Sequence, residues 1–220
     1  MSLNFFIGLF AVCKFYKFIL FISETLTFMY FRGIIYSNIL IVLPHNADYV
    51  CNWRGTMNQE ELRLHRCCFT GHRPEKMELG EKEIKSLLEK AIDDAIADGY
   101  VTFITGMAMG VDIWAAEIVL EKKKSDKDLH LICALPHPNF ESRRSMTEKM
   151  RFNKIIKKAD LVKEINKHYF TGCYQVRNEW MVDRTNLVIA VYNGKKSGTK
   201  NTVDYAKRKG IHVNNVFDKI

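Results

Sequence analysis

The sequence predicts an α/β fold of Rossmann-like type, three layers built around a mostly parallel sheet, from about Arg66 to the C-terminus. Two observations carry this. Short apolar runs alternate with segments of helical periodicity, which is the pattern of βαβ units and implies a sheet covered on both faces. The glycine- and proline-rich loops fall after the apolar runs, where a parallel sheet gathers them at its carboxyl edge.

Taken in order, Cys67-Cys68-Phe69 reads as a short strand ending in Thr70-Gly71. Leu79 to Ala97 is the clearest helix: Ile84, Leu87, Leu88, Ala91, Ile92, Ala95 and Ile96 keep to one face of a 3.6-residue period, and Gly99 stops it. Tyr100 to Thr105 is a strand, Val111 to Lys123 a helix, Leu129 to Leu135 a strand stopped by Pro136, and Met146 to Lys158 a basic helix. Leu161 to Ile165 is a weaker strand. Tyr174 to Arg184 reads as a helix, Leu187 to Tyr192 as a strongly apolar strand, Thr202 to Lys209 as a helix, and Ile211 to Val216 as the last strand. Trp114 and Trp180 read as core residues.

The formal net charge of +8 permits anionic partners, nucleic acid included, without requiring them. Much of the excess lies in runs such as Lys122-Lys123-Lys124 and Lys207-Arg208-Lys209, at predicted helix ends where cations complement the dipole. The six cysteines form no C-x-x-C pair, and the pattern is neither a disulfide framework nor a zinc site. No metal is expected, and a reducing, cytoplasmic location follows.

The first sixty-five residues stand apart as a hydrophobic extension. Eight of the fourteen phenylalanines lie between Phe5 and Phe31, yet Lys14, Lys17, Glu24 and Arg32 interrupt the stretch before it reaches the roughly 18–20 apolar residues of a membrane span. Met57 opens a polar lead-in, Met57-Asn58-Gln59-Glu60-Glu61, directly before the 66–220 domain. The expectation is a true start at Met57, which a mass spectrum of the native protein would test.

The residues suited to chemistry follow strands. They are Thr70-Gly71-His72-Arg73-Pro74, then Gly106-Met107-Ala108-Met109-Gly110-Val111-Asp112, then Pro136-His137-Pro138, and finally Asn193 to Thr199. Gly106 and Gly110 would let backbone approach a ligand, and the helix that follows would aim free N–H groups and its positive end at a phosphate. Ser197-Gly198-Thr199 repeats this at another helix start with two hydroxyls added. Arg73 offers a planar fork to phosphate or carboxylate. Asp112 suits either a helix cap or a ribose contact. His137 reads as a turn residue, and Arg177 and Asn178 fit a solvated helix face.

Together these segments resemble the SLOG superfamily and, within it, the YpsA-like proteins. The resemblance rests on Phe69 to Pro74, Gly106 to Glu117, Arg177 to Asp183 and Ser197-Gly198-Thr199, four motifs in order over about residues 66–216. It implies a Rossmann-like domain that binds a nucleotide or nucleotide-derived ligand such as AMP, NAD or ADP-ribose. Carried onto this chain, it puts the ligand against Thr70, Gly71, His72, Arg73, Gly106, Met107, Ala108, Gly110, Asp112, Arg177, Asn178, Ser197, Gly198, Thr199 and Thr202. Two related families frame the alternatives. The cytokinin-activating phosphoribohydrolases are similar at their P-G-G-x-G-T-x-x-E loop, but Thr202 stands where they carry glutamate, so the acid or base for N-glycosidic hydrolysis is missing. The DNA-processing protein A family is similar over Thr105 to Asp112 and implies single-stranded DNA binding. The aromatics for that are Tyr169, Phe170 and Tyr174, with Lys167 and Arg177 close in sequence. Domains of this class commonly pair, so a homodimer is a further expectation.

Overall fold

The computed structural model describes residues 58–219. The chain divides into two compact units, Met1–His45 and Asn46–Ile220, and the described residues all belong to the second. The apolar extension and the start expected at Met57 lie outside them.

The polar lead-in forms a helix: α1, Gln59–Leu64, is held by a capping box in which the Asn58 side chain accepts from the Glu60 N–H and the Glu61 carboxylate reaches back to the Asn58 N–H. Then follow β1 (Arg66–Gly71), a 3₁₀ turn (Pro74–Lys76), α2 (Glu81–Ala97), β2 (Thr102–Thr105), α3 (Val111–Lys122), β3 (His130–Leu135) and α4 (Met146–Ile156). The remainder is β4 (Leu161–Glu164), α5 (Cys173–Val182), β5 (Leu187–Val191), α6 (Gly198–Arg208), β6 (His212–Asn215) and a closing 3₁₀ turn.

The six strands run in the order β4-β3-β2-β1-β5-β6, and every neighbouring pair is parallel. The chain steps outward from β1 to β4, then crosses to β5 on the other side of β1. The order therefore reverses at β1, and the crevice outside the ends of β1 and β5 is the switch point where open α/β sheets accept ligands.

Alternate strand residues face opposite layers. Cys67, Phe69, Phe103, Leu131, Leu187 and Ile189 pack with Ile84, Leu88 and Ile92 of α2, Ala115 and Val119 of α3, and Phe152 and Ile155 of α4. Cys68, Ile104, Ala134 and Val188 meet Met181 and Val182 of α5 and Ala206 of α6. Trp114 is buried in the first layer, and Trp180 packs partly buried against the second with the Arg184 guanidinium 4.2 Å over its ring.

One helix begins earlier than hydrophobic periodicity places it. α6 begins at Gly198 rather than Thr202, because the Ser197 hydroxyl caps it by accepting from the Lys200 N–H at 3.2 Å. Its first turn, Gly198-Thr199-Lys200-Asn201, carries no apolar residue, so hydrophobic periodicity does not register it. β4 is exposed along its whole length, as an edge strand flanked on one side only.

The helices of the first layer are tied by charge. Arg151 of α4 grips Glu117 of α3 through two hydrogen bonds of 2.8 and 2.7 Å and Glu81 of α2 through two of 2.8 and 3.4 Å. Lys85 joins both carboxylates, at 2.8 Å to Glu117 and 3.0 Å to Glu81. Burial works to raise the Glu117 carboxyl, but the hydrogen bonds from Arg151 and Lys85 outweigh it and hold the group below its ordinary value.

Candidate functional site at the carboxyl edge

The loop after β2 is built from within. The Thr105 hydroxyl donates to the Asp112 carbonyl at 2.9 Å and accepts from the Met107 N–H at 3.1 Å. The Asp112 carboxylate folds back and accepts from the Ala108 N–H at 3.1 Å. Gly110, at φ 88°, is the residue that caps α3. The Asp112 carboxylate thus neither caps α3, a place taken by Gly110, nor stands free, but fixes the loop.

Beneath this loop lies Arg177 of α5, which is 4% exposed rather than on a solvated helix face. Its Nη1 donates to the Gly106 carbonyl and, at 3.4 Å, to that of Ala134, while Nε donates to Asn178 at 2.8 Å. A Cβ on Gly106 would run into the Arg177 guanidinium and come within 2.8 Å of the Asp112 carboxylate. The glycine is therefore required by the protein's own arginine. Burial raises the Asp112 carboxyl and Arg177 opposes it; burial lowers the Arg177 guanidinium and Asp112 opposes that. The two form a buried, mutually compensating pair under the loop.

The crevice at β1 and β5 has a different character. Gly71 allows the start of α3 to lie across the end of β1, since a Cβ there would collide with Val111. The His72 N–H extends the ladder to the Val191 carbonyl at 3.2 Å. The His72 side chain is 1% exposed, lies 5.5 Å from the Tyr192 ring, and has no hydrogen-bond partner at either ring nitrogen among the described residues. Burial lowers its pKa, and the charges of Lys76 and Lys195 push the same way. The Asn193 amide opposes them from nearby, without making a bond of competent geometry. Thr70 and Thr199 are also buried, and their hydroxyls make no hydrogen bond among the described residues.

α6, packed on β1 and β5, opens onto this crevice. Its first N–H groups, at Gly198 and Thr199, have no partner within the helix, and a Cβ on Gly198 would meet nothing within 4 Å. Asn178 and Thr202 are committed to each other: the Asn178 amide donates to the Thr202 hydroxyl at 2.9 Å, and that hydroxyl donates to the Gly198 carbonyl at 3.0 Å. The Arg73 side chain is exposed and makes no hydrogen bond or ion pair among the described residues.

The residues predicted from sequence thus fall into two sets. Thr70, His72, Ser197, Gly198 and Thr199 lie at the end of β1 and the start of α6, which border the switch point, with Arg73 exposed just beyond His72 in the chain. Gly106, Met107, Ala108, Gly110, Asp112 and Arg177 form the scaffold of the neighbouring loop, and Asn178 and Thr202 join α5 to α6. Sequence reasoning missed Arg144, which donates to the Met107 carbonyl, and it treated His137 as a turn residue. Two cavities flank the crevice: one of about 330 Å³ against Gly110, Trp114 and Arg144, the other of about 410 Å³ against Tyr192, Asn193 and Lys207. Among the described residues no cluster of three or more His, Cys, Asp or Glu is placed to hold a metal ion.

An all-parallel sheet with a switch point and two helix starts at its carboxyl edge defines a Rossmann-like α/β protein. Comparison with known proteins gives the family: the chain belongs to the YspA SLOG family (YpsA), whose profile matches residues 67–217. It is similar to the SPbeta prophage-derived protein YoqJ of Bacillus subtilis, 32% identical over 139 residues that make up 57% of this chain and 81% of that one. It is also similar to a UPF0398 protein of Ligilactobacillus salivarius, 30% identical over 124 residues, 56% of this chain and 67% of that one. Among solved structures, the single-stranded-DNA-binding DNA processing protein A of Helicobacter pylori superposes with a TM-score of 0.50 at 17% identity, covering 75% of this chain and 74% of that one. At that identity the likeness is one of fold. No helix among the described residues is long and apolar enough to cross a membrane.

Proposed function

We propose that this protein binds a nucleotide-derived ligand, in the cytoplasm, with the ligand's phosphate at the start of α6 and in the crevice between β1 and β5. The observation that carries the reading is His72. An imidazole 1% exposed with neither nitrogen partnered is rare in a folded protein, because a buried polar group without a partner is destabilising. Thr70, two residues on from Cys68, faces the layer that holds α6, whose first N–H groups at Gly198 and Thr199 are free, and the Thr70 and Thr199 hydroxyls make no hydrogen bond among the described residues. A phosphate supplies acceptors to all of them at once, and the positive end of α6 favours it. Lys76 and Lys195 add positive charge around His72, and Arg73 stands exposed next to it in the chain.

Thermal unfolding of the protein with AMP, ADP, NAD and ADP-ribose tests this. A ligand at a hundred times its dissociation constant stabilises by about 2.7 kcal/mol, a shift of roughly 5–11 °C in a chain of this size. The Arg73→Ala protein should unfold at the unliganded temperature of the wild type and lose most of the shift. No shift with any nucleotide, or an unfolded Arg73→Ala variant, would overturn the assignment.

A second reading, single-stranded DNA binding, is favoured by the exposure of Tyr169 (63%), Phe170 (39%) and Tyr174 (42%) at the same sheet edge and by the fold shared with DNA processing protein A. It predicts affinity for short oligonucleotides that falls steeply with salt. No observation favours N-glycosidic hydrolysis, since the Asp112 carboxylate is engaged with Ala108 and Arg177 and Thr202 with Asn178 and Gly198.

A further inference from the structure

The loop after β3 carries a second unpartnered group. His137 Nδ1 lies 2.8 Å from the Pro138 carbonyl oxygen. A carbonyl only accepts, so Nδ1 carries the proton of the neutral ring, and Nε2 is left as a lone-pair acceptor. Nε2 is buried and has no partner among the described residues. Three rings surround the imidazole edge to face: Tyr169 at 5.5 Å, Tyr174 at 6.0 Å and Phe140 at 6.2 Å. Two of these, Tyr169 and Tyr174, are open to solvent, at 63% and 42% exposure. The loop is held in place by Asn166, whose amide donates to the Pro136 carbonyl at 2.8 Å.

This cluster is joined to the glycine loop by Arg144. Its guanidinium lies 4.8 Å over Phe140, donates to the Met107 carbonyl, and leaves Nη1 buried without a partner. The surface from the sheet's switch point to β3 therefore presents unpartnered donors near the crevice and, beyond them, flat apolar rings around a single acceptor.

We infer that Tyr169, Tyr174 and His137 form the base-binding subsite of the ligand held at the crevice. A nucleobase stacks on an exposed tyrosine, and an amino group on its edge donates to His137 Nε2. Arg144 Nη1 lies on the intervening path and faces the ribose or phosphate oxygens. The inference rests on the phosphate site proposed above and adds to it the chemistry of the other end: a base with an exocyclic amino group. Adenine, cytosine and guanine carry one, and uracil and thymine do not. β3 is two strands from β1, roughly 10 Å along the edge, so an extended nucleotide such as ADP or ADP-ribose spans the two subsites better than AMP.

The test measures binding of ADP, of the matching purine diphosphate that lacks the 6-amino group, and of inorganic pyrophosphate to the full chain and three variants. Tyr169→Ala and Tyr174→Ala should each weaken ADP binding by roughly 5- to 150-fold, the range for losing one stacked base, and leave pyrophosphate binding unchanged. His137→Phe keeps the ring and removes the acceptor, so the preference for ADP over the deamino analogue should collapse toward unity. A merely structural histidine would not change that ratio. ADP binding unaltered in both tyrosine variants overturns the base subsite while leaving the phosphate site standing. Failure of the wild type to bind pyrophosphate or any nucleotide overturns the phosphate site and this inference with it. Salt-sensitive binding of oligonucleotides without binding of ADP would show that the rings serve the bases of a strand, and would overturn the assignment to a free nucleotide.

Discussion

Replacing Arg177 by methionine removes the charge under the glycine loop and keeps much of the side chain's volume. Asp112, 7% exposed, then loses its counter-charge, and the carbonyls of Gly106 and Ala134 lose their donor. Removing the opposite charge near a buried carboxylate costs up to about 3–5 kcal/mol, the range for breaking a buried pair from one side. Asp112 can relieve part of this by protonating, since burial already raises its pKa, so the lower end of the range is expected near pH 5 and the upper end at neutral pH. The sign follows from linkage: an acid whose folded pKa is raised loses stability as pH climbs from its unfolded value, near 3.9, toward the folded one. At roughly 2–4 °C per kcal/mol, the variant should unfold about 6–20 °C below the wild type at pH 7, with a smaller gap at pH 5. Differential scanning calorimetry across that pH range reads both quantities. The double variant Arg177→Met with Asp112→Asn should recover part of the loss, because the uncompensated charge is gone. A fall of less than about 2 °C, or a gap that does not change with pH, would refute the account of Arg177 as a buried scaffold for the loop.

Other outcomes follow from the same structure. Gly71→Ala drives a Cβ into Val111 at the start of α3 and should cost about 1–3 kcal/mol, read from urea denaturation as a lower midpoint with an unchanged slope. Glu117→Gln removes the hub shared by Arg151 and Lys85 and should cost roughly 1–2 kcal/mol, between the values for exposed and buried pairs. Because Glu117 is held below its ordinary pKa, the wild-type advantage over this variant is full above the unfolded value near 4.3 and fades as pH falls through the folded one, which a pH series of melting temperatures checks. Ser197→Ala removes the α6 cap and should cost about 1 kcal/mol while weakening nucleotide binding measured by calorimetry, since the helix start it organises is the proposed phosphate site.

Much of the architecture was legible in the chain. The periodicity of Ile84, Leu88, Ala91, Ile92 and Ala95 marks α2 because burial on one face must repeat every 3.6 residues, and all five are buried. The apolar run at β5 marks a strand covered on both sides, and all five of its residues are buried. α1, a single short helix of QEELRL, and the polar first turn of α6 leave no repeating apolar stripe for periodicity to mark. Their stability comes from caps, a hydrogen-bond signal that hydrophobic periodicity does not carry.

By itself, the sequence determined the class of fold, the family resemblance and the loops that gather at the carboxyl edge, because these depend on local patterns of burial and turn chemistry. Only the tertiary structure decided which polar residues serve the protein and which are left without partners. Arg177 and His72 are equally plausible as ligand contacts in the sequence. In the folded chain, one lies beneath Gly106 with Nε and Nη1 engaged, and the other lies against the Tyr192 ring with neither nitrogen partnered among the described residues. That difference arises from contacts across 71 positions of sequence and from the crossing of the chain to β5, which no local pattern encodes.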